Sequence, residues 1–202
     1  MKKLSLIAMV AIAALSFQAC NNGTKTGSTA DSTGVVTDTA DSANKVKDST
    51  TTGATGIAVD KDDAKFATSA ANAGLAEVAL GQLASEKATN AKVKAFGAMM
   101  VTDHTKANNE LIEIAKKKNI SLPTEPDAEH QQKKTDLAAK TGADFDKAYV
   151  DAMVDGHKKV ASMFEDAAKN CKDADLKAFA EKTLPTIKSH LAEIEGIQKG
   201  LK

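Results

Sequence analysis

Between Asp62 and Lys199, apolar residues recur in alternating steps of three and four, the period of a helix that buries one face. The first stripe is Phe66, Ala70, Ala73, Glu77, Leu80 and Ala84; the second is Val93, Gly97, Met100, His104, Ala107, Leu111 and Ile114. The third is Tyr149, Met153, His157, Val160, Phe164, Ala167 and Cys171; the fourth is Leu176, Ala180, Thr183, Ile187, His190, Ile194 and Ile197. These stripes predict four long helices over Asp62–Ala88, Asn90–Lys118, Asp144–Asn170 and Asp173–Lys199. At 1.5 Å per residue each is about 40 Å long, so they match as antiparallel neighbours. Asn90, Asp144 and Asp173 are N-cap types at the predicted starts, and Asn119 with Pro123 and Pro126 closes the second helix. Links of a residue or two join the first helix to the second and the third to the fourth. About 25 residues separate the second from the third, room for a crossover with a short extra helix over Ala128–Lys140, ended by Gly142. Pro185 removes the backbone bond to the Glu181 carbonyl and is expected to bend the last helix. The expected fold class is all-α, an up-down-up-down four-helix bundle with that longer crossover.

The chain ahead of the stripes reads differently. Lys2 and Lys3 precede a 14-residue uncharged apolar run, Leu4–Phe17, which is too short to span a bilayer and has the layout of an export signal. Ala19 immediately before Cys20 resembles the lipobox of bacterial lipoproteins, although Phe17 and Gln18 depart from its usual pattern. Cleavage there would leave Cys20 as a lipidated N-terminus, and Asn21 after it favours the outer membrane over the inner one by analogy with bacterial sorting rules. Residues 21–60 are dominated by Thr, Ser, Asp, Gly, Ala and Asn and contain no aromatic residue. Such a segment buries too little apolar surface to offset its ordering entropy, and as a tether its coil would reach roughly 35 Å. The expected organisation is therefore an export signal over 1–19, a lipid-anchored tether over 20–60, and one folded domain over 61–202.

Charge narrows the partners. The 202 residues carry 27 basic and 27 acidic side chains, and every basic one is Lys. Without guanidinium forks the chain has no bidentate reader of phosphate or guanine, and a net charge of zero gives no field to attract a polyanion, so nucleic acid is not an expected partner. Two Cys, at positions 20 and 171, cannot make a disulfide framework.

One ionisable side chain interrupts each stripe: Glu77, His104, His157 and His190. If the two short links lie at the same end of the bundle, these residues stand 12, 15, 15 and 18 positions from that end. That is a single layer about 9 Å thick. Carboxylate and imidazole groups converging from facing helices are how bundles hold ions, and one Glu with three His suits Zn²⁺, Fe²⁺ or Mn²⁺. Asp103, Asp155 and Glu193 lie close enough in sequence to orient the ligands or join them. The competing reading is a hydrogen-bonded Glu–His network in a structural or stress-related envelope protein, with Lys- and Glu-rich outer faces meeting a protein partner. A di-iron oxidase is the third and weakest. Such centres need a Glu on two helices and a Glu-x-x-His pair on the other two. Three residues before His104, His157 and His190 stand Val101, Val154 and Ile187. No catalytic residue is expected, and Cys171, with no His one turn before it, reads as a small core residue.

Phe66 with Glu77, Val93-Lys94-Ala95-Phe96, Met100-Val101-Thr102-Asp103-His104, Phe145-Asp146-Lys147-Ala148-Tyr149, His157, and Leu184-Pro185 ahead of His190 are similar to the domain-of-unknown-function family numbered 4142. The resemblance covers about residues 61–199. It implies a ferritin-like four-helix domain in an exported protein of the outer membrane, and it implies no activity. Glu129-His130-Gln131 in the crossover also matches, which adds His130 as a fifth polar candidate.

Overall fold

The computed structural model describes residues 59–201. The export signal, Cys20 and the tether up to residue 58 lie outside the described residues. Five helices and no strand occur among the described residues: α1 (Lys61–Lys87), α2 (Ala91–Lys118), α3 (Ala128–Ala138), α4 (Gly142–Asn170) and α5 (Ala174–Gly200). The all-α bundle with a short helix in the long connection is thus the observed architecture. None of these helices is long and apolar enough to cross a membrane.

Local chemistry sets the helix ends. Asn90 accepts from the backbone N–H groups of Lys92 and Val93, and Asp173 from those of Asp175 and Leu176, so both act as the expected N-caps. Asn119 closes α2 in the left-handed conformation at φ 55°, with its N–H returned to the carbonyls of Ala115 and Lys116. Asp144 is not the cap of α4. Gly142, expected to end the crossover helix, instead opens α4 at φ +58°, a backbone state that glycine adopts freely, and the N-cap is Thr141. Pro185 lies inside α5, which runs through it unbroken.

The helix directions differ from the up-down-up-down expectation. Asp63 near the start of α1 accepts the backbone N–H groups of Lys172 (3.0 Å) and Asp173 (2.7 Å) between α4 and α5. Asp146 near the start of α4 accepts those of Thr89 (3.1 Å) and Asn90 (2.8 Å) between α1 and α2. The two short links therefore lie at opposite ends, and the order is up-down-down-up. The connection makes this possible because it runs the length of the bundle beside α1: Asn72 bonds Asp127 where α3 begins, and Lys87 bonds the Ala138 carbonyl where it ends.

The two hairpins, α1–α2 and α4–α5, also repeat in sequence at an offset of 83 residues. Asp63 and Phe66 correspond to Asp146 and Tyr149, and Asn90-Ala91-Lys92-Val93-Lys94-Ala95-Phe96 corresponds to Asp173-Ala174-Asp175-Leu176-Lys177-Ala178-Phe179. The helix-ending bonds correspond as well, Ala88 N–H to Ala84 and Cys171 N–H to Ala167, each at 3.0 Å. Each hairpin thus supplies one buried Asp that holds the link of the other.

The apolar core falls into two parts. One gathers Leu80, Leu83, Val93, Phe96, Met100, Phe145, Tyr149, Met153 and Ile194; the other gathers Phe66, Ala70, Leu111, Phe164, Leu176, Phe179 and Ile187. On every long helix the polar residue of the stripe stands between the two parts: Glu77 on α1, His104 on α2, His157 on α4 and His190 on α5. The layer survives the reversal of direction because these positions lie near the middle of helices 27 to 29 residues long, where counting from either end gives a similar depth.

Candidate metal centre

His104, His157 and His190 meet in the middle of this layer. All three are buried, and one ring nitrogen of each lies within 4.8 Å of the others. Their ring centroids stand 6.0 Å (104–157), 5.5 Å (104–190) and 5.7 Å (157–190) apart, and Phe96 packs edge-on against His157 and His190.

Hydrogen bonds decide which nitrogen His157 and His190 can offer. Nδ1 of His157 lies 2.9 Å from the Met153 carbonyl, which only accepts, so Nδ1 carries the proton and Nε2 presents its lone pair. Nε2 of His190 donates to Asp103 Oδ2 at 2.9 Å, which leaves Nδ1 with the lone pair. His157 Nε2, His190 Nδ1 and His104 Nε2 are buried and have no hydrogen-bond partner. A buried ring nitrogen without a partner costs free energy, and the lone pairs of His157 and His190 cannot satisfy each other, because neither carries a proton to share. Ion-binding rings held on their other nitrogen by a carbonyl or carboxylate have this arrangement. A tetrahedral Zn²⁺ with bonds of 2.0–2.1 Å sets its nitrogens about 3.3 Å apart, within reach of small rotamer adjustments from 4.8 Å.

The electrostatics favour the neutral form of His104 and His157. Burial, reinforced by the facing His157 and His190, pulls His104 down to about 3. Burial likewise lowers His157 to about 4, against the opposing pull of its bond to the Met153 carbonyl. Neutral imidazole is the ligand form, so near neutral pH these two rings need no deprotonation.

Glu77 belongs to the layer but not to the cluster. Its Oε1 stands 3.6 Å from His157 Nδ1, the protonated nitrogen, and therefore behind the ring as seen from the three lone pairs. The expectation of Glu77 as a fourth ligand places it on the wrong side of His157. Burial pushes its carboxyl up to about 8, with Lys133 pulling the other way, and its Oε2 has no hydrogen-bond partner. The Tyr149 hydroxyl is also buried and unpartnered, and both burial and the Glu77 charge hold it protonated.

Two openings lead inward. A groove of about 130 Å³ between α2 and α5 is lined by Asp103, His104, Glu110, Lys182, Thr186 and His190 among others. A cleft of about 300 Å³ between α1, α3 and α4 ends on Glu77 and Met153 and is rimmed by His130, Lys133 and Lys159.

Comparison with known proteins gives the family. The model of the family "Domain of unknown function (DUF4142)" matches residues 48–197. The chain belongs to this family. Among solved structures, the DUF4142 chain is similar to the crystal structure of a DUF305 fragment from Deinococcus radiodurans, with a TM-score of 0.62 and 9% identity. The alignment covers 70% of this chain and 97% of that one, and at such identity it speaks to the fold alone. No curated protein matches the chain.

The remaining candidates of the DUF4142 domain divide clearly. Asp103 is the one acidic neighbour that reaches the cluster, through His190. Asp155 and Glu193 are exposed. His130 is tied to Asp127 (2.7 Å) and Asn72 (3.3 Å) at the foot of α3, outside the cluster. The Met153 carbonyl and Tyr149 were not legible as site groups. The first is a backbone acceptor four residues before His157, a spacing available to any helical His. The second occupies a core position, and only the packing of α1 against α4 brings its hydroxyl near Glu77.

Proposed function

We propose that this domain binds one first-row divalent metal ion through His104, His157 and His190, in a lipid-anchored protein of the bacterial cell envelope. The observation that supports the metal reading is the set of three buried, unpartnered ring nitrogens on neighbouring rings. A network of side chains bonded to one another would pair these atoms, and no protein group does. Asp103 and the Met153 carbonyl fix the tautomers of His190 and His157, while Glu77 contributes a nearby carboxyl outside the ligand set. Three imidazole nitrogen donors suit Zn²⁺ or Fe²⁺ better than Mn²⁺, which favours oxygen. A carboxylate-bridged di-iron oxidase lacks its ligands in this set. The envelope location rests on the apolar run Leu4–Phe17 followed by Ala19-Cys20.

The test is metal analysis of the purified full chain and of its His104→Ala and His157→Ala variants. One equivalent of ion in the parent, lost in both variants, is expected. Added Zn²⁺ at about 100 times Kd is expected to stabilise the parent by about 2.7 kcal/mol. A parent chain that gains no thermal stability from Zn²⁺, Fe²⁺ or Mn²⁺, and loses none to a chelator, would sink the metal reading.

A further inference from the structure

Two openings approach the polar layer from opposite sides of the bundle, and they are chemically unequal. The α1–α3–α4 cleft ends on Glu77, whose Oε1 faces the protonated Nδ1 of His157. A cation arriving there meets the Glu77 carboxyl and, behind it, a ring nitrogen whose proton is bonded to the Met153 carbonyl, so no histidine lone pair faces it. The α2–α5 groove instead reaches His104 and His190, and Asp103 stands in it with 38% of its side chain exposed. His157 and His190 are each held by a hydrogen bond to one ring nitrogen. His104 has no such bond among the described residues, so packing alone holds its ring on the groove side. Across the same groove, Lys182 on α5 reaches both carboxylate oxygens of Glu110 on α2, at 2.9 and 2.8 Å. The Lys182 ammonium, 65% exposed, thus sets a positive charge at the mouth and a strap between the two helices.

On the reading that the three histidines hold an ion, we infer that the ion enters through the α2–α5 groove, with Asp103 and His104 as its first contacts and the Glu110–Lys182 pair as the barrier. Asp103 attracts the cation at the surface, His104 takes it from the mouth, and the locked rings of His157 and His190 complete the set. The opposite cleft takes no part in loading.

The experiment measures Zn²⁺ association with the full chain by stopped flow against a chromophoric chelator, with bound metal at equilibrium determined by elemental analysis. Lys182→Met removes the strap and its charge and is expected to raise the association rate about three- to tenfold, an effect that shrinks as salt is added. Thr186→Trp places an indole at an exposed position of the groove and is expected to lower the rate severalfold. Both variants should still bind one equivalent. At the rim of the opposite cleft, Lys159→Met and Lys159→Trp should leave the rate unchanged. Unchanged rates in the groove variants, or a rate altered by the Lys159 variants, would overturn the assigned route while leaving the site intact. A full chain that holds no Zn²⁺ at equilibrium overturns the metal reading itself and the route with it, and that failure appears in the stoichiometry.

Discussion

At the scale of single residues, the groups of the polar layer titrate in opposite senses. His104 and His157 are lowered from 6.5 to about 3 and about 4, so below pH 6.5 the unfolded chain binds protons that the folded chain refuses. Their contribution to stability is complete above pH 6.5 and is lost as pH falls below it. Glu77 is raised from 4.5 to about 8, so between these values the folded chain keeps a proton that the unfolded chain releases. Its contribution is present below pH 4.5 and is lost as pH rises toward 8. Between 4.5 and 6.5 the two histidines outweigh the one carboxyl, and above 6.5 the carboxyl acts alone. The metal-free protein should therefore show its highest Tm near pH 6.5, and Glu77→Gln, an isostere of the protonated acid, should abolish the alkaline decline; thermal unfolding across pH 4 to 9 checks both. Asp103→Asn should weaken metal binding about 10- to 100-fold by loosening the His190 tautomer, as read by competition with a chelator.

At the scale of elements, the α1–α2 hairpin closes on two glycines. A Cβ at Gly97 would lie 2.7 Å from the Gly81 carbonyl oxygen and 2.8 Å from the Ala84 Cβ, and one at Gly81 would lie 2.6 Å from the Gly97 carbonyl oxygen. Backbone faces backbone here, so no side chain can give way. Gly97→Ala and Gly81→Ala should each cost about 1–3 kcal/mol in urea unfolding by forcing the helices apart. Gly196, exposed in α5 with nothing near its would-be Cβ, should behave oppositely, and Gly196→Ala is expected to add about 0.5–1 kcal/mol. The contrast separates a packing glycine from a merely tolerated one. Both lie in helices whose existence was evident from periodicity, but the close approach of two elements has no period of its own.

At the scale of the whole molecule, two hairpins related by an 83-residue repeat are joined by mutual clamps, Asp63 on one and Asp146 on the other. Each carboxylate is buried and accepts two backbone N–H groups of a link that would otherwise lack partners. Asp146→Ala should strand those donors and cost about 2–4 kcal/mol in urea unfolding. The histidine cluster does not follow the repeat: the positions equivalent to His157 and His190 are Gly74 and Ala107 in the first hairpin. That hairpin contributes His104 in their place, so the site is complete only when the two halves dock. On the proposed lipid anchoring, Cys20→Ser should release the protein from the membrane fraction, as checked by fractionation and immunoblotting.

The number and length of the helices, most of their caps, and the one ionisable residue in each stripe could be read from the chain, because apolar period and capping chemistry are local. Direction was not local. A crossover of some 20 residues can return to either end of a bundle, and the backbone bonds of Asp63 and Asp146 show which end it reached. Nor could spacing tell a ligand from a neighbour. Glu77, His104, His157 and His190 look equivalent along their stripes, yet only the packed helices orient the rings, lock two tautomers and turn Glu77 toward the protonated side of His157. A stripe states which face of a helix is buried; which atom of a buried side chain meets which partner depends on rotamers and hydrogen bonds that exist only once four helices share one core.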